Sequence, residues 1–270
     1  MLVAAVQMNS REDKETNVLK AEKLIDEAAT KGAEVVALPE YFNFLGPDKE
    51  KISQAEEIPG PTIERLMDKA TQHKIYILCG SILEKGTEPN KAFNTSVLIN
   101  PQGEIIAKYR KIHLFDVKIK EGVIYQESAT IQRGEEIVTA DTELVKFGLS
   151  ICYDLRFPEL YRKLTFNGAQ VIFVPAAFTL YTGKDHWESL IRARAIENQV
   201  YIIAPAQIGF HLPDKQCYGK SMVVDPWGIV IAKASDREMV ILAELDFSYQ
   251  NKIKKELPSL LHVRKNLFTF

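Results

Sequence analysis

Short apolar runs rich in Val, Ile and Leu alternate with segments of helical periodicity along almost the whole chain. Residues 2–8 (LVAAVQM) are typical of a buried strand, and the segment after them keeps helical spacing until Lys31-Gly32. The same patterns predict further strands at 33–39, 75–81, 143–151, 171–178, 201–207 and 239–246. They also predict helices at 59–74, 158–167 and near 185–198.

Two pairs of apolar runs are separated by short turn sequences and predict β-hairpins. Residues 93–100 and 105–111 are joined by Pro-Gln-Gly-Glu, and a second hairpin over 221–234 turns at Asp-Pro-Trp-Gly. Strand–helix alternation mixed with hairpins predicts an α/β protein with mixed sheets and helices on the outside.

The chain has no low-complexity linker and no shift in composition that would divide it. This predicts a single domain over residues 1–270, with a C-terminal tail from about residue 247. The tail is locally basic, with Lys255, Arg264 and Lys265 among its residues, and is expected to be a solvated face or an arm on a partner subunit. Residues 112–142 form the longest segment without a clear element, and such segments inside compact domains are often functional.

Composition and charge exclude several classes of protein. Lys and Arg number 34 against 36 for Asp and Glu, and the net charge of −2 gives no general attraction to nucleic acid or membranes. Three cysteines without paired spacing argue against a disulfide framework and favour a reducing, cytoplasmic setting. The N-terminal apolar stretch is too short for a signal peptide or a membrane span. No pair of histidines has metal-ligand spacing, so no metal is predicted.

The stretch SICYDLRFPEL (150–160) places Cys152 directly after an apolar run. Cysteine is among the most buried residue types, so local composition alone favours a core residue. A nucleophilic cysteine would need thiolate character, a proton acceptor and a donor for an oxyanion. None of the five histidines is identifiable from the sequence as its partner.

Two charged residues follow other predicted strands. Glu40 comes directly after the strand at 33–39, and Lys111 ends the first hairpin. Each residue alone would be read as a solvated charge, although strand ends are where α/β folds gather reactive groups. Together with Cys152 they form a candidate set of base, cation and nucleophile.

The motifs around these three residues resemble those of the nitrilase superfamily of carbon–nitrogen hydrolases. LPEYF, YRKIHLFD and SICYDLRFPEL carry the family's glutamate, lysine and cysteine in the expected chain order. Supporting matches are AVQM, IPGPT, FNTSVLINPQGE, YQES, PAAF, HWESLIRARAIENQVYIIA and YGKSMVVDPWG. Within the family the chain is most similar to the small amidase branch of deaminated-glutathione amidase and omega-amidase, and HVRKNLF (262–268) favours the former.

The resemblance implies a four-layer α-β-β-α sandwich with two mixed sheets, and an activity that needs no cofactor. It assigns Cys152 as the nucleophile, Glu40 as the general base and Lys111 as the cation beside them. Glu127, in YQES, matches a second family glutamate and would position Lys111 and the substrate nitrogen; a loop glutamate without a role remains the alternative. Assembly as a homodimer or higher homo-oligomer, through the helices at 158–167 and 185–198, is also implied.

In such a site the glutamate takes the thiol proton and later returns it to the leaving amine. Lys111 would favour both the thiolate and the developing oxyanion. The backbone N–H of Tyr153 directly follows the nucleophile and is expected to be a second oxyanion donor. Phe178 and Thr179, just past a predicted strand, are candidate substrate-binding residues.

Other residues near these motifs have simpler expectations. Asp154 and Arg156 would either fix the reactive turn by an ion pair or be plain surface charges. Cys79 is expected in the core, and Cys217 is expected to be a loop thiol.

The predicted function is a cysteine-dependent amidase that hydrolyses a small carboxamide through a thioester intermediate. Deaminated glutathione or an α-keto acid ω-amide is the expected substrate. An N-carbamoyl amine hydrolase or a nitrilase of the same superfamily remains open, as does a non-catalytic binding or scaffold protein on the same fold.

Overall fold

A computed structural model describes residues 1–119, 123–264 and 266–267. Lys265, and with it part of the HVRKNLF motif, lies outside the described residues. The described α-helices are α1 (Lys14–Thr30), α2 (Pro61–His73), α3 (Pro158–Phe166), α4 (Leu180–Asn198) and α5 (Phe247–Glu256).

The described strands are short, and most contain three to six residues. They are β1 (Leu2–Gln7), β2 (Val35–Ala37), β3 (Tyr76–Leu78), β4 (Ile82–Lys85), β5 (Ala92–Ile99), β6 (Ile105–Arg110), β7 (Asp116–Ile119), β8 (Val123–Gln126), β9 (Ile131–Gln132), β10 (Thr139–Asp141), β11 (Lys146–Leu149), β12 (Val171–Phe173), β13 (Tyr201–Ala204), β14 (Ile208–Leu212), β15 (Lys215–Tyr218), β16 (Met222–Val224), β17 (Val230–Lys233) and β18 (Met239–Glu244).

Two mixed sheets carry most of these strands. The first has the order β18-β1-β2-β3-β5-β4, with β6 and β9 also paired to β5, and its strands β1, β2 and β3 are parallel. The second has the order β10-β11-β12-β13-β16-β17, with β11, β12 and β13 parallel. The hairpins β7-β8 and β14-β15 stand apart from both sheets.

The alternation of side chains along β1 shows how the layers stack. Val3 and Ala5 belong to the core between the two sheets, whereas Ala4 and Val6 pack with the buried faces of α1 and α2. Between the sheets, the rings of Tyr76 and Phe147 lie with their centroids 6.4 Å apart. Helices α3 and α4 cover the outer face of the second sheet. The predicted four-layer α-β-β-α sandwich with two mixed sheets is therefore confirmed.

Several predicted boundaries were wrong. The strands predicted at 33–39, 75–81 and 171–178 contain only three ladder residues each, because their apolar runs continue into buried connections. Helix α4 begins at Leu180 rather than near 185, with Thr179 as its N-cap.

The segment 112–142 is also more ordered than predicted. It contains β7, β8, β9 and β10, which are too short to show the two-residue alternation from which strands are recognised. The hairpin β14-β15 was not predicted, because its glycine and charged residues interrupt the apolar pattern. The tail from 247 begins with α5, whose residue Ile253 is buried. The single domain over 1–270 stays a prediction. None of the described helices is long and apolar enough to cross a membrane.

The packing between the sheets gives a stability prediction. Phe147 is fully buried and its ring contacts those of Tyr76 and Phe173, so Phe147→Ala leaves a cavity at the centre of the sandwich. We expect the free energy of unfolding, measured by urea denaturation, to fall by about 3–5 kcal/mol. The control Leu19→Ala removes an exposed side chain on α1 and should change it by less than about 0.5 kcal/mol. Equal effects of the two substitutions would contradict this packing.

Candidate active site

The three predicted catalytic residues lie just beyond the ends of three strands. Glu40 follows β2, Lys111 follows β6 directly, and Cys152 follows β11. Their side chains meet in the interior, where the Lys111 Nζ lies 2.9 Å from Glu40 Oε1 and the negative charge of Glu40 raises the pKa of the Cys152 thiol. The structure thus brings together residues that are 41 and 112 positions apart in the chain (152 − 111 and 152 − 40).

The carboxylate of Glu40 is held by hydrogen bonds to both of its oxygens. Oε1 accepts from Lys111 Nζ and from Asn94 Nδ2, each at 2.9 Å, and Oε2 accepts from the backbone N–H of Ala177 at 2.7 Å. Because both oxygens are fixed, the carboxylate keeps one orientation next to Cys152.

Lys111 is 2% exposed and is surrounded by carboxylate oxygens. Besides Glu40, its Nζ donates to Glu127 Oε1 at 3.1 Å and to Oε2 at 2.9 Å. Burial lowers the pKa of Lys111, but the charges of Glu127 and Glu40 raise it by more, so the net pKa lies well above the ordinary value. Lys111 is therefore an ammonium ion throughout the neutral pH range.

Glu127 lies in a single helical turn, Glu127–Ala129, directly after β8. Its Oε2 accepts from the backbone N–H of Phe115 at 2.7 Å, and its Oε1 accepts from the Tyr41 hydroxyl at 2.9 Å. Burial raises the pKa of Glu127, but Lys111 and, more weakly, Lys51 lower it below the ordinary value. The site therefore contains two carboxylates around one ammonium.

The backbone of Cys152 adopts an unusual conformation. Its φ is 47°, in the left-handed region that non-glycine residues rarely occupy and that is enriched at functional sites. The Cys152 N–H donates to Pro175 O at 3.0 Å, and this bond ties the turn to the end of β12. The turn aims the side chain into the pocket while leaving only 9% of the residue exposed.

The resting thiol of Cys152 is protonated at neutral pH. Burial raises its pKa most, and the negative charge of Glu40 raises it further. Lys111 and the nearby Ala177 N–H lower the pKa, but the net value is still well above that of an ordinary thiol. Lys111 thus favours the thiolate, but burial and the negative charge of Glu40 outweigh its effect on the thiol pKa.

Tyr153 follows Cys152 in the helical turn Cys152–Arg156. Its ring packs edge-on against Phe115 and Phe157, with centroids 5.0 and 5.4 Å apart. Within the part of the chain that the structure describes, its backbone N–H has no acceptor. This N–H is thus available to an oxygen of a bound molecule.

Asp154 fixes the reactive turn, but not through Arg156. Its fully buried carboxylate accepts from the Tyr109 hydroxyl at 2.6 Å, from the Ile151 N–H at 2.9 Å and from His113 Nδ1 at 2.7 Å. Arg156 instead lies over the rings of Tyr153 and Phe178. The proposed ion pair and the alternative of two surface charges were both wrong for Asp154, whose carboxylate binds the Lys111 segment to the Cys152 turn.

A pocket opens above the Cys152 thiol. Phe178 and Thr179, the candidate substrate-binding residues, both line it. Cys217 lines it as well, from strand β15, so the prediction of a loop thiol was wrong. Cys79 lies in the core between the first sheet and its helices, as predicted.

Sequence reasoning missed several residues of this site. The side-chain amide of Asn94 donates hydrogen bonds to both Glu40 and Glu127. Asn94 belongs to the motif FNTSVLINPQGE, but nothing in that motif distinguished it from its neighbours. Tyr41, next to Glu40, was likewise given no role. Lys51 and Lys215 line the pocket, and no local pattern distinguishes them from surface lysines. No group of His, Cys, Asp or Glu suited to a metal ion occurs among the residues described.

Comparison with known proteins identifies the family. The model of the carbon–nitrogen hydrolase family matches residues 2–255. A deaminated glutathione amidase of Synechocystis is 46% identical over 97% of both chains, and omega-amidase NIT2 of Homo sapiens is 38% identical over 98% of this chain and 96% of its own. The crystal structure of the NitFhit protein of C. elegans superposes with a TM-score of 0.94 at 42% identity, covering 99% of this chain and 66% of that one. The chain therefore belongs to the carbon–nitrogen hydrolase family, within the nitrilase superfamily, and is a hydrolase that acts on carbon–nitrogen bonds other than peptide bonds.

Proposed function

We propose that this protein is a cysteine-dependent amidase that hydrolyses a small carboxamide through a thioester intermediate, with no cofactor. The observation that carries the proposal is the buried cluster of Glu40, Lys111 and Glu127 against the Cys152 thiol at the base of a pocket. Buried charges with strongly shifted pKa values in a pocket are typical of active sites.

In the first step, the Cys152 Sγ attacks the amide carbonyl carbon and its proton passes to Glu40. Direct transfer to the neighbouring Glu40 carboxylate suits a thiol whose pKa is raised by burial and by the charge of that carboxylate. The developing oxyanion accepts hydrogen bonds from the Tyr153 N–H and from Lys111. A donor of this kind typically stabilises the transition state by about 2.7–4 kcal/mol.

In the second step, the tetrahedral intermediate collapses and the carbon–nitrogen bond breaks. Glu40 returns its proton to the leaving amine, which departs as ammonia or a larger amine, and Cys152 remains acylated as a thioester. Glu40 then takes a proton from water, the hydroxide attacks the thioester carbonyl, and the carboxylic acid leaves as the Cys152 thiol is reprotonated.

Glu127 acts as a positioning residue for Lys111 and as a partner for the substrate nitrogen. Its two oxygens hold the ammonium, and its backbone and Tyr41 contacts fix its own orientation. Phe178 and Thr179 contact the substrate from the pocket wall. The substrate itself is deaminated glutathione or an α-keto acid ω-amide, a proposal supported by relatives named deaminated glutathione amidase and omega-amidase.

We further propose a homodimer or higher homo-oligomer, formed through α3 and α4, in the cytoplasm. Exposed apolar side chains on one side of the molecule support the contact, since Ile196 on α4 and Trp227 and Ile229 in the turn before β17 are all exposed. The turn lies against α4, because a Cβ on Gly228 would come within 2.5 Å of the Ile196 side chain. Contiguous exposed apolar surface is typical of association sites.

The role of Cys152 can be tested with one substitution and a matched control. Cys152→Ala removes the nucleophile and should abolish release of ammonia or amine from deaminated glutathione, α-ketoglutaramate and succinamate. Glu40→Gln should lower kcat by at least about a hundredfold, because the amide cannot take the proton. Cys79→Ala, in the core away from the pocket, should keep the wild-type rate. If the Cys152→Ala protein hydrolysed these amides at the wild-type rate, the mechanism would be refuted. If the wild-type protein hydrolysed none of them, a scaffold function would be favoured instead.

The reaction class can be tested with a substrate panel. Amides should be hydrolysed with a higher kcat/KM than N-carbamoyl amines or nitriles of similar size, measured as ammonia or amine release. A dominant activity on a nitrile or on an N-carbamoyl amine would overturn the amidase proposal in favour of the corresponding member of the superfamily.

The pH dependence follows from the charge state of the site. The raised pKa values of Cys152 and Lys111 and the lowered pKa of Glu127 keep all three groups in one protonation state from pH 7 to 9. We expect kcat/KM for an amide to change by less than about twofold over this range. If an ordinary thiolate were the attacking form, kcat/KM would instead rise about tenfold between pH 7 and 8, which would contradict the proposed proton transfer to Glu40.

A further inference from the structure

Two lysines that the proposed mechanism does not use line the same pocket as Cys152. Lys51 lies in the segment between β2 and α2, and Lys215 begins β15. Their side chains are 12% and 22% exposed, so most of each side chain is buried. Chain segments far apart in the sequence therefore bring two ammonium groups to one wall of the pocket.

A single carboxylate lies between the two lysines. Asp48 Oδ1 is 2.7 Å from Lys51 Nζ, and Asp48 Oδ2 is 3.6 Å from Lys215 Nζ. The Asp48 side chain is 60% exposed, and it lines the pocket together with the two lysines. Among the residues that line this wall of the pocket, two positive charges therefore stand against one negative charge. A second carboxylate, the exposed Asp214, acts on His211 and Tyr125 from outside the lining.

Aromatic rings hold the lysine side chains in place. Lys51 Nζ lies 5.4 Å from the centroid of the Tyr41 ring, and Lys215 Nζ lies 5.3 Å from that of Tyr125. Each ammonium carries three N–H donors, so neither is saturated by its contact with Asp48. His211, on the same wall, adds no charge, because burial together with Lys215 and Lys51 lowers its pKa to about 4.

The position of Lys51 indicates which part of a substrate the lysines face. Lys51 lies over Tyr41, whose hydroxyl donates to Glu127, and its charge acts on the Glu127 carboxylate. In the proposed function, Glu127 is the residue that interacts with the substrate nitrogen. A chemical group bound at Lys51 would therefore extend from the nitrogen rather than from the acyl carbon.

We propose that Lys51 and Lys215 form a subsite for a carboxylate carried by the amine portion of the amide substrate. This inference rests on the proposed function and narrows its substrate class. Deaminated glutathione is the amide of α-ketoglutarate with cysteinylglycine, so its amine portion ends in a carboxylate. An α-keto acid ω-amide releases only ammonia and has no group to place there. The subsite therefore favours the larger substrate.

Selectivity between two amides with the same acyl group tests the subsite. Deaminated glutathione and α-ketoglutaramate share the α-ketoglutaryl group, so any effect of Lys51 on Glu127 is common to both and cancels in the ratio of their kcat/KM values. The ratio compared is kcat/KM for deaminated glutathione divided by kcat/KM for α-ketoglutaramate. Lys51→Met and Lys215→Met should each lower this ratio about tenfold, mainly by raising KM for deaminated glutathione. Lys51→Arg should restore most of the ratio.

The chain offers a matched control for these substitutions. Lys49 is exposed, lies two residues from Lys51 and does not line the pocket, so Lys49→Met should leave the ratio unchanged. Circular dichroism and thermal melting check that each variant is folded. An unchanged ratio in both Lys51→Met and Lys215→Met would overturn the subsite, whether the activities on the two substrates stay the same or fall equally.

A binding measurement separates the subsite from the proposed function. Calorimetry with cysteinylglycine, the amine product, should show about tenfold tighter binding than cysteinylglycinamide, which lacks the terminal charge. The difference should disappear in the Lys51→Met/Lys215→Met double variant. A wild-type protein that hydrolyses no amide but shows this difference would refute the proposed function alone, whereas turnover without the difference would refute the subsite alone.

Discussion

The burial of the Lys111 ammonium between two carboxylates is the constraint on which the rest of the site depends. An unpaired ammonium at 2% exposure would be destabilised by several kcal/mol, so the fold tolerates it only because Glu40 and Glu127 lie within hydrogen-bond distance. The same arrangement leaves one negative charge uncompensated. That excess, together with burial, keeps the Cys152 thiol protonated and leaves Glu40 as the neighbouring group able to accept the proton.

Close backbone packing fixes the position of the strand end that carries Glu40. Gly80, just beyond β3, has a φ of 46°, and a Cβ there would lie 2.0 Å from the carbonyl oxygen of Pro39. The strand end that carries Glu40 is thereby packed directly on its neighbour. From the other side, Gln207 Nε2 donates to the Glu40 carbonyl oxygen at 3.0 Å. Glu40, the proposed general base, thus lies on backbone that is supported from both sheets, and small shifts of either sheet would move it.

The sequence predicted the parts of this arrangement that leave a periodic or motif signal. Strand β1 and helices α1 and α2 were recognised from apolar spacing, and Glu40, Lys111 and Cys152 from their positions after apolar runs and their family context. The left-handed turn at Cys152 left no such signal, because it is imposed by the bond to Pro175 and by Asp154. Asn94 was missed for a related reason: an amide inside a strand pattern acquires a role only when tertiary packing places two carboxylates beside it.

The charges in the pocket also fit the proposed sequence of steps. Before attack, Glu40, Glu127 and Lys111 together carry one net negative charge. When the Cys152 proton moves to Glu40, that carboxylate becomes neutral while an oxyanion forms, so the net charge of the buried cluster does not change. The Lys111 ammonium loses one anionic partner and gains another at nearly the same place, and little reorganisation is required in a site that water cannot easily relax. An amide substrate is neutral at its reacting carbon, so the cluster does not repel it, whereas a remote carboxylate of the same substrate would be repelled. The positive wall formed by Lys51 and Lys215 offsets that repulsion at the point where such a carboxylate would lie.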